Sequence, residues 1–195
     1  MKQLALFDFD GTLTVKDTLL AFIRFYKGNF RFYVGMIVLA PMLVLYKLKI
    51  IPNWKAKEYV LAFFFKGEDV VLFNRKAKEF SLREIPRLLN DIALKKLHWH
   101  KSQGDRVAVV TASAVNWVKP WSDEAGVGLV ATKLEEKHGR LTGKISGKNC
   151  YGPEKVKRLC ENINTGEFTS IYAYGDSRGD KELLEMATHP FFRRF

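Results

Sequence analysis

Leu4-Ala5-Leu6-Phe7-Asp8-Phe9-Asp10-Gly11-Thr12 decides how this 195-residue chain is read. A nearly unbroken apolar run ends in two carboxylates and a glycine, the pattern of a parallel strand buried on both faces with its acids at the carboxyl end. Arg106-Val107-Ala108-Val109-Val110-Thr111 repeats that form, and Ser170-Ile171-Tyr172-Ala173-Tyr174-Gly175-Asp176 repeats it again. Three such strands predict an α/β fold with a parallel sheet whose carboxyl edge gathers the chemistry. Helices are expected over 113–124, 153–162 and 180–186, the second opened by Pro153 with Glu154 beside it. Residues 129–134 and 140–145, joined through His138-Gly139, read as a β-hairpin. The segment from His189 onward leaves room for one closing strand.

Hydrophobic residues make up 47% and charged residues 27%, a globular composition that excludes a disordered tail or a fibre. The net charge of +11 is unevenly placed. Residues 14–100 hold 16 basic and 7 acidic side chains, a net of +9, while the other 108 residues hold 16 and 14. A uniformly basic nucleic-acid binder would not divide this way, so the excess belongs to one inserted segment.

That insertion, 18–101, is helical in pattern. Gly28, Gly35 and Gly67 with Pro41, Pro52 and Pro86 are expected to divide it into several helices of ordinary length. Within it, residues 32–46 carry no charge, with Lys27 and Arg31 before them and Lys47 and Lys49 after. The run is shorter than the roughly 20 residues of a spanning helix, and Pro41 interrupts it. Two readings stay open: a buried helical hairpin, or an apolar surface over 32–51 that dips into a bilayer with its cations at the headgroups. A third reading makes the basic insertion a docking module for nucleic acid or protein, with Phe25, Tyr26, Phe30, Phe32 and Tyr33 as stacking platforms. The uncharged run that follows argues against nucleic acid, because such platforms stay wet.

Cys150 and Cys160 stand in no metal-ligand or disulfide spacing. With no signal-peptide pattern at the start of the chain, the expected location is the cytoplasm, at the inner membrane face if 32–51 meets lipid. His98 and His100 flank Trp99 without an acid cluster in view and are expected on the surface or at an interface.

Asp8 and Asp10 alternate at a strand end and would repel unless a cation or a shared proton compensates. A hard divalent ion such as Mg²⁺ answers this and asks for further oxygen ligands, which Asp176 and Asp180 can offer after the third strand. Unpaired acids at buried strand ends are otherwise costly.

On these motifs the chain resembles the haloacid dehalogenase superfamily of phosphohydrolases. Asp8-x-Asp10-Gly11-Thr12, the strand ending in Thr111, Lys155 in Gly152-Pro153-Glu154-Lys155, and Gly175-Asp176-x-x-x-Asp180 match its four motifs in order. The helical insertion between the first two motifs resembles the phosphoserine phosphatase-like branch. The apolar-basic stretch and Cys150-x-Gly152-x-x-Lys155 look most like its phosphatidylglycerophosphatase C-type members. The resemblance implies a Rossmann-like catalytic core over 1–17 and 102–195 with a helical cap over 18–101. It implies Asp8 as nucleophile through an aspartyl-phosphate, Asp10 as general acid and base, and Thr111 with the N–H groups around Ala112 and Ser113 on the phosphoryl oxygens. Lys155 would neutralise charge, and Mg²⁺ would be held by Asp8, the Asp10 carbonyl, Asp176 and, in support, Asp180. Asp10 and Asp176 disfavour dehalogenation.

Asp17 takes the place where phosphoserine phosphatases of that branch use a glutamate toward the substrate amine. With a shorter acid there and no evident arginine for a carboxylate, the expected substrate is a lipid phosphate, with phosphoserine or another small phosphorylated metabolite as the alternative.

Overall fold

The computed structural model describes residues 2–195. Five parallel strands form the central sheet: β1 (Gln3–Phe7), β2 (Arg106–Ala114), β3 (Gly128–Thr132), β6 (Ser170–Gly175) and β7 (His189–Phe192), in the order β3-β2-β1-β6-β7. β1 is central, paired with β2 on one side and β6 on the other, so its acids emerge between two other strand ends. This is the α/β architecture expected from the three apolar runs, and β7 is the expected closing strand.

Alternation along the strands feeds two cores, because successive side chains leave a strand on opposite faces. Leu4, Leu6, Ala108, Val110 and Ala173 face α7 (Pro153–Asn162) and α8 (Lys181–Glu185). Ala5, Phe7, Val107, Val109 and Tyr174 face α6 (Val115–Ala125) and the inserted helices. Those are α1 (Thr18–Lys47), α2 (Asn53–Phe65), α3 (Val70–Arg83), α4 (Ile85–Leu88) and α5 (Asp91–Ser102). The insertion shares one continuous core with this face of the sheet. Phe22 of α1 stacks on Trp117 of α6 with ring centroids 5.1 Å apart, and Ser81 of α3 accepts the Trp121 N–H at 2.9 Å.

Several local expectations are corrected. Residues 129–132 do not form a hairpin arm but lie in β3, in parallel register with β2. The antiparallel partner of β5 (Arg140–Ile145) is β4 (Leu134–Lys137), turned through His138-Gly139. An apolar strand reads alike in either place, and the available edge of β2 decides. The helix expected from Ser113 begins at Val115, because β2 runs on to Ala114. The helix expected over 180–186 is a 3-10 turn at Arg178–Asp180 followed by the short α8.

In the insertion, Gly28 kinks α1 (φ 78°, ψ 163°), but neither Gly35 nor Pro41 ends it. Gly35 is where α1 presses on α2: a Cβ there would collide with the Phe63 and Phe64 rings. The buried-hairpin reading of 32–46 is overturned. Phe32, Gly35 and Leu39 are buried, while Ile37 is 73% and Val38 59% exposed, and Val44, Leu45, Leu48 and Ile50 are exposed with them. By length and composition, Thr18–Lys47 is a helix that could cross a membrane.

His100 is also corrected from surface to core. It is fully buried, its Nδ1 2.7 Å from Asp105 and its Nε2 2.9 Å from the Tyr174 hydroxyl. The acid that satisfies it sits just past the end of α5, outside the His-Trp-His window. His98 is exposed, as expected.

Candidate active site

Asp8 follows β1 directly, and its N–H donates to the Tyr174 carbonyl of β6 at 2.9 Å, which keeps the acid at the sheet's edge. Lys155, on the first turn of α7, donates to Asp8 Oδ1 at 2.5 Å and to Asp180 Oδ1 at 2.6 Å. All three are buried. The other oxygen of Asp180 accepts the Ser177 N–H at 3.0 Å, the Ser177 hydroxyl at 2.8 Å and the Asp176 N–H at 3.3 Å, so this carboxylate ties the loop after β6 to α7. Gly11 has φ +83°, and a Cβ on it would meet the Asp176 carboxylate at 2.5 Å; the glycine lets the two motif loops touch.

Burial pushes the Asp8 carboxyl up to about 7, against the pull of Lys155. Burial alone would lower Lys155, but Asp8 and Asp180 hold its ammonium above the ordinary range. Burial, with Asp180 nearby, also raises Asp176. Oxygens of Asp8, Asp176 and Asp180 lie within 4.8 Å of one another. Asp176 Oδ1 and Thr12 Oγ1 are buried without a hydrogen-bond partner. A buried acceptor left unmade is costly. An orphaned carboxylate oxygen inside a cluster of three acids suits a hard divalent cation, and the residues present fit one. The Asp10 side chain is not in that cluster, which leaves its carbonyl as the part of Asp10 available there.

The Asp10 carboxylate turns instead toward β2 and α1. Ser113 donates its hydroxyl to Asp10 Oδ2 at 2.5 Å, and the Thr18 N–H donates to Oδ1 at 2.6 Å. Ser113 is thus a strand residue aimed at Asp10 and not a helix N-cap. Pairing of β2 with β3 slips between Val110 and Ala114: four steps along β2 match two along β3. The irregularity frees the Thr111–Ser113 backbone from the ladder with β3. Thr111 Oγ1 accepts the Ser113 N–H at 2.9 Å.

A cavity of about 400 Å³ opens over these groups. Asp8, Asp10, Thr111, Ala112, Ser113 and Lys155 line its floor; Asp17, just before the insertion, and Leu19, Leu20, Met36, Leu43 and Tyr46 within it line its wall. Asp17 is both a lining residue and the cap of α1, accepting the Leu20 N–H at 3.0 Å. Asp176 and Asp180 lie behind the floor, reached through Lys155 and Ser177. Sequence reasoning missed Lys57, which lines the same cavity and donates to the Ala112 carbonyl at 2.5 Å. Burial draws its pKa down, with Asp10 and Asp17 opposing. A signal existed: Asn53, Ala56, Lys57 and Val60 stand at i, i+3, i+4 and i+7, one helical face, and a lysine on such an inward face is out of place.

A family model for haloacid dehalogenase-like hydrolases matches residues 5–185. Protein CicA of Caulobacter vibrioides is 34% identical over 194 residues, spanning 98% of this chain and 86% of that protein. Among solved structures, a protein of unknown function from Bordetella pertussis Tohama I aligns with a TM-score of 0.81 at 28% identity, over 96% of this chain and 88% of that one. A phosphoserine phosphatase solved with a phospho-aspartyl intermediate analogue shares the fold, with a TM-score of 0.68 at 21% identity over 95% and 83% of the two chains. With its two acids at the end of the central strand and the matching lysine and carboxylates around them, the chain belongs to the haloacid dehalogenase-like hydrolases.

Proposed function

We propose that this protein hydrolyses a phosphomonoester through an aspartyl-phosphate, and that its substrate is a lipid phosphate such as phosphatidylglycerophosphate, met at the cytoplasmic face of an anionic membrane. The observation that carries the substrate reading is the two-faced α1. One face, with Met36, Leu43 and Tyr46, walls the catalytic cavity. The other exposes Ile37, Val38, Val44 and Leu45, with Arg31, Lys47, Lys49 and Lys55 exposed around it. An amphiphile lying along this helix keeps its chains in lipid while its phosphate reaches Asp8. Because one face closes a cavity floored by charged groups, α1 suits a membrane surface better than a membrane interior.

In the chemistry, an Asp8 oxygen attacks phosphorus in line as the ester P–O bond breaks, and Asp10 protonates the departing alkoxide. Water then attacks the same phosphorus, Asp10 takes its proton, and phosphate leaves with Asp8 regenerated. Asp10 is positioned for both transfers by Ser113 and the Thr18 N–H, while Thr111 and the N–H groups near Ala112 hold phosphoryl oxygens. Lys155 balances charge on Asp8. Mg²⁺, held by Asp8, the Asp10 carbonyl and Asp176 with Asp180 in support, would supply positive charge against the phosphoryl group. The phospho-aspartyl analogue in a phosphatase of the same fold supports the nucleophile assignment.

A second reading has its own observation: Asp17 and Lys57 line one cavity, an anion and a cation suited to an amino-acid phosphate such as phosphoserine. The deciding experiment measures phosphate release, with Mg²⁺ and with chelator, from an aryl phosphate, phosphoserine, sugar and nucleotide monophosphates, glycerol phosphate and lipid phosphates in anionic vesicles. Magnesium-dependent release with the highest kcat/KM on a lipid phosphate is expected. A preference for phosphoserine overturns the lipid reading, and no release from any ester overturns the hydrolytic one.

A further inference from the structure

We infer that Lys57, reaching from α2 to the Ala112 carbonyl, is a phosphate-binding residue that contacts the substrate's phosphoryl oxygens. The inference rests on the phosphomonoesterase reading and adds to it a residue that the family motifs do not include.

Charge within the site gives the first argument. Asp8, Asp10, Asp176 and Asp180 are four acids, against which stand Lys155 and a divalent cation. Lys155 is already committed, with Asp8 and Asp180 both within 2.6 Å of its Nζ. Such a site has no positive surplus for an arriving dianion. Among the residues lining the cavity, Lys57 and Lys155 are the cations, so Lys57 is the one with charge to offer.

Position gives the second argument. The Ala112 carbonyl holds the Lys57 ammonium at 2.5 Å, at the residue between Thr111 and Ser113 in the irregular end of β2. That bond uses one of three donors on an ammonium, leaving others for an anion beside it. An ammonium fixed at Ala112 sits beside Thr111 and Ser113, the residues that the phosphomonoesterase reading places around the phosphoryl group. Lys57 forms no ion pair within 4.0 Å with any acid among the described residues, although Asp10 and Asp17 share the cavity with it. A group tethered by one neutral carbonyl is poised to accept a charged partner.

Inorganic phosphate tests this directly, because it has no leaving group. Calorimetric binding of phosphate to the magnesium-loaded protein would be compared for wild type, Lys57→Gln and Lys57→Arg. Lys57→Gln keeps an amide donor for the Ala112 carbonyl but removes the charge. A loss of about tenfold or more in phosphate affinity is expected for Lys57→Gln, with much of it restored in Lys57→Arg. Kinetics on an aryl phosphate, glycerol 3-phosphate, phosphoserine and a short-chain lysophosphatidic acid should show a similar fall in kcat/KM for all four. Unchanged phosphate affinity in Lys57→Gln, with or without lower thermal stability, overturns the assignment and leaves Lys57 a structural tie. A loss confined to phosphoserine places Lys57 at a carboxylate and overturns it equally. If wild type neither binds phosphate nor releases it from the aryl ester, the hydrolytic reading itself falls.

Discussion

Lys155 and Asp8 stand 147 residues apart in sequence and meet at 2.5 Å, with both side chains buried. The bond joins the first turn of α7 to the end of the central strand, and Asp180 completes it from the loop after β6. A buried ammonium between two carboxylates avoids the cost of isolated charge, and it also holds the three motif loops at one point.

Replacing Lys155 by Met should leave Asp8 and Asp180 buried without their cation. The expected cost is about 3–5 kcal/mol in urea unfolding of the metal-free protein. Added Mg²⁺ should recover part of it, since a cation can take up the same charge. Equal stability of variant and wild type without metal would contradict the charge-balance account.

Asp8→Asn removes the carboxylate proposed to attack phosphorus, with little change in shape. Release of phosphate from an aryl ester should fall on the order of a thousandfold or more, while circular dichroism stays native. Asp10→Asn should slow turnover yet retain most Mg²⁺ affinity, because its carbonyl survives the change; calorimetry with Mg²⁺ separates the two variants.

Burial holds the His100 pKa below its ordinary value, against the stabilising pull of Asp105. Below about pH 6.5 the unfolded chain takes up a proton that the folded state resists, so stability present above that pH is lost as pH falls through the folded value. His100→Gln should therefore lose less Tm than wild type between pH 7.5 and 5, whatever its Tm at neutral pH. Parallel curves for the two proteins would show that His100 does not carry this dependence.

Gly143 lies in β5 with φ +82°, and a Cβ there would collide with the Ala62 backbone of α2. Gly143→Ala should cost about 1–3 kcal/mol through strain and loss of the close α2–β5 packing, read as a lower Tm.

Ile37→Glu with Val38→Glu changes residues that project away from the cavity. Sedimentation with anionic vesicles should fall more than tenfold, since about 1.5–3 kcal/mol accompanies burial of each large aliphatic side chain. Tm should hardly move. Vesicle binding that survives both changes would remove the membrane from the functional reading.

How legible each element was follows from the range of the forces that set it. The three apolar runs are local patterns, and burial on both faces of a parallel strand leaves little else they could be. Residues 129–132 show where this stops: an apolar strand carries no mark of its partner, and only the edge of β2 placed it in the sheet. Pro41 and Gly35 show the converse. Each weakens a helix locally, yet α1 continues through both, and at Gly35 it packs directly on the Phe63 and Phe64 rings of α2.

The amino-acid sequence by itself determined the parallel sheet and the acids at its carboxyl edge, because periodicity and strand-end chemistry are written in neighbouring residues. Tertiary structure alone decided that 32–46 shows an apolar face to solvent, that His100 finds Asp105 and Tyr174 inside the core, and that Lys57 reaches Ala112 across the cavity. Each of these depends on which distant segment supplies the neighbour, and that is settled by the competition among helices to bury their apolar faces against one sheet.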